Sequence, residues 1–385
     1  MNNFVFYNST KILFGKGQIA SLADEIPEDA RVLLIYGGGS IKTNGIYDQV
    51  VDALSEFEYY EFSGIEPNPS YEKSMKALDI IEENDIDFLL AVGGGSVVDA
   101  AKFIAAAYYY QGEDPWDILA HNEEVIEALP LGVVLTLPAT GTEMNGNSVI
   151  SRNEFREKLA FSSPEVLPQF SILDPEVIAT LPKRQIGNGV VDAFVHVIEQ
   201  YLTYPVDAKI QDRIAEGVML TLIEDGPKVM VDPTNYNACA NFMWSTTMAL
   251  NGLISRGVPE DWTTHTIGHE ITALHGVDHA RTLAIVLPGV MSVMRESKKQ
   301  KIIQYAQRVW GIQGDSDEKT VDLAIAKTIE FFESMGLQTR LRDYKIPSTT
   351  IDEIVERMEE RGDVNIGENK LVGINEIKKI LEIRY

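Results

Sequence analysis

Five of the six histidines of this chain lie between His196 and His279. Asp192 stands four residues before the first, in GNGVVDAFVHVIEQ, and His265, His269, His275 and His279 follow in THTIGHEITALHGVDHA. Residues at i and i+4 share one helix face, so Asp192 with His196, and His265 with His269, read as two helical pairs. Gly276 reads as the end of the second helix, which lets His279 fold back. One carboxylate and three imidazoles suit Fe2+ or Zn2+, with a position left open for a substrate oxygen. A lone Asp-x-x-x-His is more often a surface pair. Here it lies in an apolar helix, where a buried ionisable pair needs a partner, and the later histidines supply one. His269-Glu270 begins like H-E-x-x-H, but position 273 is alanine and His275 is off the face, so the metallopeptidase motif fails.

The first half of the chain alternates short apolar runs with helical stretches. RVLLIY (31–36), YYEFSGI (59–65), DFLLAV (87–92) and LGVVLTLP (131–138) read as strands. That alternation predicts a parallel sheet covered by helices on both faces. FVFYN and TKILFG, near the start, read as a β-hairpin outside this repeat or as an edge of the same sheet. After residue 182 the texture becomes helical, with apolar spacing over 184–203, 207–224, 235–256, 262–275, 296–309, 318–335, 349–361 and 373–382. The expected division is 1–182, an α/β domain, and 183–385, a helical domain.

Two GGGS runs, Gly37-Gly38-Gly39-Ser40 and Gly93-Gly94-Gly95-Ser96, each follow an apolar strand. Glycine lets backbone amides approach a phosphate, and a following helix N-terminus adds partial positive charge. Neither run fits G-x-G-x-x-G. One glycine cluster is weak evidence, but two at the carboxyl ends of parallel strands point to a nucleotide. The fourth strand leads into Thr136-Leu-Pro-Ala-Thr140-Gly-Thr142-Glu143, whose hydroxyls can reach phosphate or ribose oxygens.

The net charge of −25 opposes nucleic-acid binding. No run approaches the roughly 20 apolar residues of a membrane span, and no secretory pattern opens the chain. The single cysteine, Cys239, cannot form an internal disulfide, which fits a reduced compartment. A cytoplasmic protein is expected.

The motifs YGGGSIK, GIEPNP, AVGGGSVVDAAKF, LTLPATGTE, NGVVDAFVHVIEQY and DWTTHTIGHEITALHGVDHA make the chain resemble the iron-containing (group III) alcohol dehydrogenases from Phe4 to about Ile383. Its branch looks like the NADPH-dependent butanol dehydrogenases and broad-specificity aldehyde reductases. The resemblance implies a Rossmann-like dinucleotide-binding domain and an all-α C-terminal domain, the dehydroquinate synthase-like fold, with the active site between them. It implies metal ligation by Asp192, His196, His265 and His279, and His269 near the metal and the nicotinamide as a proton relay. It places Asp99 on the cofactor side; Lys158 reads equally as a contact to the nicotinamide ribose or as a surface lysine, and Asn68 either reaches the cofactor or only shapes a turn. Family members using NAD carry an acidic residue after the first strand; here Gly37–Ser40 stands there, with Lys42 beyond, so NADP(H) is expected over NAD(H). The expected activity is hydride transfer between NADP(H) and a primary alcohol or aldehyde, by a homodimer. A polyol dehydrogenase or dehydroquinate-synthase-like lyase on the same fold, and a non-catalytic metal- or nucleotide-binding protein, are the alternatives.

Overall fold

The continuous apolar runs become strands buried on both faces, as parallel sheets require. The computed structural model describes Met1–Tyr385. Its sheet strands are β1 (Lys11–Phe14), β2 (Arg31–Tyr36), β3 (Glu58–Phe62), β4 (Phe88–Gly94) and β5 (Leu131–Leu137). Then come β6 (Asn147–Arg152), β7 (Glu157–Ser162) and β8 (Phe170–Leu173). Six of them form one parallel sheet in the order β1-β8-β5-β4-β2-β3. From β2 the chain steps outward to β3, then returns to the other side of β2 as β4. The order therefore reverses between β2 and β4, the topological switch point where open α/β sheets bind ligands. Register aligns Tyr36 with Val92, so the two glycine runs leave the sheet side by side.

Of the two readings of the chain's start, the hairpin needs correction and the sheet edge holds for Lys11–Phe14. Phe4–Asn8 forms no strand, and Lys11–Phe14 makes no hairpin with it; β1 pairs in parallel with β8 at the sheet edge. The antiparallel ribbon of β6 and β7 and the strand β8 were not anticipated. SVISRNEFREKLAFS carries charge through its middle, and FSIL is too short for a period to show.

The sheet belongs to a compact unit of Tyr7–Pro182 and Pro233–Thr247; a second unit comprises Met1–Phe6, Lys183–Asp232 and Met248–Tyr385. Pro233–Thr247 joins the first unit through the Thr247 hydroxyl, which donates to Glu143, and through Trp244, edge-on to Phe14 at 5.8 Å. The second unit is helical. Helices at Lys183–Tyr201, Lys209–Val231, Thr263–His275, Arg295–Arg308, Asp317–Ser334, Thr349–Arg361 and Ile374–Ile383 follow the apolar spacing. A further helix, His279–Val293, was missed. Its sequence is apolar almost all round and holds Pro288, so it shows neither an amphipathic stripe nor a clean interior. No helix is long and apolar enough to cross a membrane.

Candidate metal centre and nucleotide-binding loops

The helix Lys183–Tyr201 is buried without interruption from Ile186 onward. Asp192 and His196 are 3% and 4% exposed on it, and His196 Nε2 lies 3.9 Å from Asp192 Oδ1. His265 comes from the helix Thr263–His275, and His279 is the first residue of the next helix. Gly276, at φ 64°, caps the former and turns the chain back. Asp192, His265 and His279 each offer a ligand atom within 4.8 Å of the others. His279 Nε2 is 3.7 Å from Asp192 Oδ1. The His196 ring stacks on His265 at 4.6 Å, beside this trio rather than within its tightest set. Burial, and then the neighbouring His265, hold His196 well below its ordinary pKa. It is therefore neutral, the form that binds metal.

The donor set fits a divalent cation on its own chemistry. His265 Nε2 and His196 Nδ1 are buried and lack a hydrogen-bond partner. Buried polar atoms rarely stay unsatisfied, and a cation between these rings would satisfy the His265 nitrogen.

Glu199, which the sequence reading passed over, explains how His265 is held. Its carboxylate accepts the ring Nδ1–H of His265, the backbone N–H of Thr264 at 2.5 Å and that of His265 at 3.3 Å. A carboxylate fixes the proton on Nδ1 and leaves the Nε2 lone pair for metal. The same carboxylate caps the start of the helix Thr263–His275, where no side chain of its own N-cap residue does so. The signal was present: Glu199 follows His196 by three residues, on the Asp192–His196 face.

The other residues around this cluster separate by environment. His269 is half-buried, its ring 5.1 Å from His279. His275 is exposed, with Nε2 2.9 Å from the Thr350 hydroxyl, away from the cluster. Phe194 is core, packed among Tyr305, Trp310, Phe331 and Phe332. Trp262 stands edge-on to His265 at 5.2 Å with φ 61°. For so bulky a residue this is a sparsely populated backbone state, of the kind that concentrates at functional sites.

In the sheet unit, the helix Gly95–Tyr109 begins directly at the end of β4, and no side chain caps its first turn. Its free N–H groups suit a phosphate. A Cβ on Gly94 would lie 2.9 Å from Leu137 Cβ, and one on Gly95 2.8 Å from Thr140 Oγ1. Glycine here brings β5 and its threonines against the loop. Beyond β2, Gly38 faces open space and Ser40 is exposed, so that loop is free to take a ligand. Thr136 and Thr140 are half-buried. Thr142 turns inward: its hydroxyl donates to Asp99 at 2.7 Å and accepts from Lys102 at 2.8 Å. Lys102, wholly buried, also donates to the backbone oxygens of Thr142, Asn145 and Asn147. Desolvation lowers it to about 8 despite the opposing charges of Asp99 and Glu143. Lys158, on β7, is buried and donates to Asn68 at 2.8 Å. Asn68 takes a left-handed φ of 57° in its Pro-flanked turn. The structure thus joins Asn68 to Lys158, and Asp99 to Thr142.

Comparison with known proteins agrees with this geometry. Residues 9–175 match the family described as iron-containing alcohol dehydrogenase, and residues 187–382 match the C-terminal region of the Fe-containing alcohol dehydrogenase family. The chain is 54% identical over 384 residues to the NADPH-dependent aldehyde reductase YqhD of Escherichia coli K12, covering 99% of each chain. It is 41% identical over 387 residues to a probable NADH-dependent butanol dehydrogenase of Bacillus subtilis, again over 99% of each. The crystal structure of Escherichia coli YqhD superposes with a TM-score of 0.98 at 54% identity, over 100% of this chain and 99% of that one. A sheet with glycine runs at its switch point and a helical region bearing the Asp/His cluster are thus the two parts of one known enzyme architecture, and the chain belongs to the iron-containing alcohol dehydrogenase family.

Proposed function

We propose that the protein is an NADP(H)-dependent alcohol dehydrogenase that works as an aldehyde reductase, interconverting small aldehydes and primary alcohols. One observation carries the reading: a buried carboxylate and two imidazoles converge within 4.8 Å in a chain whose glycine runs sit at a sheet switch point. Residues 1–182 hold the dinucleotide in this reading, and 183–385 hold the metal. Asp192, His265 and His279 are the ligands, with His196 completing the set from its stacked position. Fe2+ and Zn2+ both suit these donors.

When bound, the metal supplies Lewis-acid polarisation of a carbonyl oxygen. The chain does the rest. Asp192 contributes the negative charge that favours a cation. Glu199 fixes the tautomer and aim of His265. The amides of Gly94–Ser96 take the diphosphate, assisted by Thr136 and Thr140, and Gly37–Ser40 lie at the adenosine ribose, with Lys42 beyond for a 2′-phosphate. Asp99, tied to Thr142, and Lys158, tied to Asn68, flank the ribose. Bound NADP(H) would supply the hydride for the carbonyl carbon, and His269, half-buried beside His279, would supply the proton for the product oxygen. The enzyme acts as a cytoplasmic homodimer in this reading, and the exposed apolar run Phe4–Tyr7 is the surface a second copy would cover.

Two measurements bear on this assignment. A His269→Ala variant is expected to slow aldehyde reduction by about 10²–10⁴-fold, the usual contribution of a positioned acid–base group, with metal content unchanged. Loss of the metal would make His269 a ligand instead. For the cofactor, kcat/KM with NADPH is expected to exceed that with NADH by about tenfold or more, a discrimination of roughly 1.4 kcal/mol. Equal values would remove the NADP assignment. That test matters because the relatives differ: the one at 54% identity is named for NADPH and the one at 41% for NADH.

A further inference from the structure

Lys42 closes the short helical turn Ser40–Lys42 that follows the first glycine run. Its ammonium is not aimed freely at solvent. Nζ lies 3.2 Å from Glu61 Oε2 and above two tyrosine rings, 5.0 Å from Tyr36 and 4.4 Å from Tyr47. Glu61 is in turn the hub of the cluster. Tyr36 donates to Oε2 at 2.5 Å and Tyr47 to Oε1 at 2.5 Å. Tyr36 and Glu61 come from the carboxyl ends of β2 and β3, Lys42 from the turn after β2, and Tyr47 from the first turn of the helix Ile46–Ala53 that links them.

That location has a chemical meaning. Doubly wound dinucleotide folds carry an acidic residue about 20 positions beyond the glycine turn, where it takes the ribose 2′-hydroxyl of NAD and repels the 2′-phosphate of NADP. Glu61, the penultimate residue of the edge strand β3, lies a comparable distance beyond the first glycine run, although that run is not the G-x-G-x-x-G turn. The glycine run therefore lacks a carboxylate, but the neighbouring strand supplies one. Both of its oxygens are occupied: one by Tyr47, the other by Tyr36 and Lys42. Burial pushes the Glu61 carboxyl up, but the bonds from Tyr36, Tyr47 and Lys42 outweigh it and leave the group below its ordinary pKa. Glu61 is therefore ionised at neutral pH.

We propose that Glu61 competes with the cofactor's 2′-phosphate for the Lys42 ammonium and so limits how strongly the protein prefers NADP(H) over NAD(H). Lys42 and Glu61 have side chains 44% and 33% exposed, and an ion pair in such a setting is weak and exchangeable. A phosphate offers Lys42 a stronger charge-assisted partner than a carboxylate does. Binding of the phosphorylated dinucleotide exchanges one anion for the other, and the displaced Glu61 charge stays nearby, held by the two tyrosines. Without Lys42 the same carboxylate faces the phosphate unscreened. This inference rests on the NADP(H) reading above.

The test uses the intact protein and two adenosine fragments without a nicotinamide, adenosine 2′,5′-bisphosphate and adenosine 5′-monophosphate, titrated calorimetrically. The unaltered protein is expected to bind the bisphosphate more tightly. Glu61→Gln keeps the shape and one acceptor oxygen, the other tyrosine hydroxyl turning to accept from the new amide N–H; it is expected to tighten bisphosphate binding about 3–10-fold and to leave the monophosphate within about twofold. Lys42→Ala should weaken the bisphosphate alone by about tenfold or more, and adding Glu61→Gln to it should recover part of the loss. If the unaltered protein discriminates but Glu61→Gln leaves bisphosphate binding unchanged or weaker, the competition is disproved. If the unaltered protein binds both fragments equally, the NADP(H) reading fails, and the proposal with it.

Discussion

Asp192→Ala is expected to yield a folded protein that retains little or no divalent metal and reduces aldehydes about a thousandfold more slowly. The residue is the one carboxylate among the imidazoles that converge at the site. Both His196 Nε2 and His279 Nε2 lie within 4 Å of its Oδ1, so its charge sits where a cation would. Removing it leaves only imidazole donors, and an Fe2+ or Zn2+ ion binds far less well when the one anionic donor is gone. The loss of Lewis-acid catalysis is worth several kcal/mol, and each 1.36 kcal/mol is a factor of ten. Metal analysis and steady-state kinetics on the same preparation check this. A variant with full metal and near-normal turnover would remove Asp192 from the centre.

The second large effect is expected one shell out. Glu199→Gln should weaken metal affinity about 10–100-fold, the usual cost of losing the partner that orients a ligating histidine. It should do so with little change in melting temperature, because glutamine keeps an oxygen for the amide of Thr264. Glu199→Leu should lower both. It removes the acceptor for the two backbone N–H groups that Glu199 caps, at a cost of about 0.5–2 kcal/mol for a lost helix cap. Competition with a chelator of known affinity gives the first quantity, and thermal unfolding of the apoprotein gives the second. Unchanged affinity in the glutamine variant would reduce Glu199 to a helix cap.

Much of this site was legible in the sequence because helical spacing is geometric. Asp192 and His196 sit at i and i+4, and Gly276 marks the turn that brings His279 back. The glycine runs were legible for a similar reason: each follows a run too apolar to be anything but a buried strand. What escaped notice lay where local pattern carries no information. The helix His279–Val293 has no polar face and holds a proline. β1 joins the sheet beside β8, a partner some 160 positions away in the chain, and no local period reports such pairing. Glu199 and Glu61 are ordinary acidic letters in the sequence. Their significance depends on what stands opposite: the first turn of another helix for Glu199, and for Glu61 an ammonium and two phenols from the end of β2, the turn after it and the helix that follows. Thr142 shows the converse. Its hydroxyl invites a phosphate on paper, yet in the fold it serves Asp99 and Lys102.

We propose that hydride passes between a nicotinamide and an aldehyde only when the Asp192–His265–His279 centre holds a metal. Protein purified without air, stripped of metal and then reconstituted, can be given NADPH deuterated at C4 and a small aldehyde, with the alcohol examined by mass spectrometry. Deuterium is expected on the carbinol carbon with reconstituted protein holding about one metal per chain, and no product is expected from the stripped form. Undiminished deuterium transfer by metal-free protein, or alcohol formed without deuterium, would contradict it.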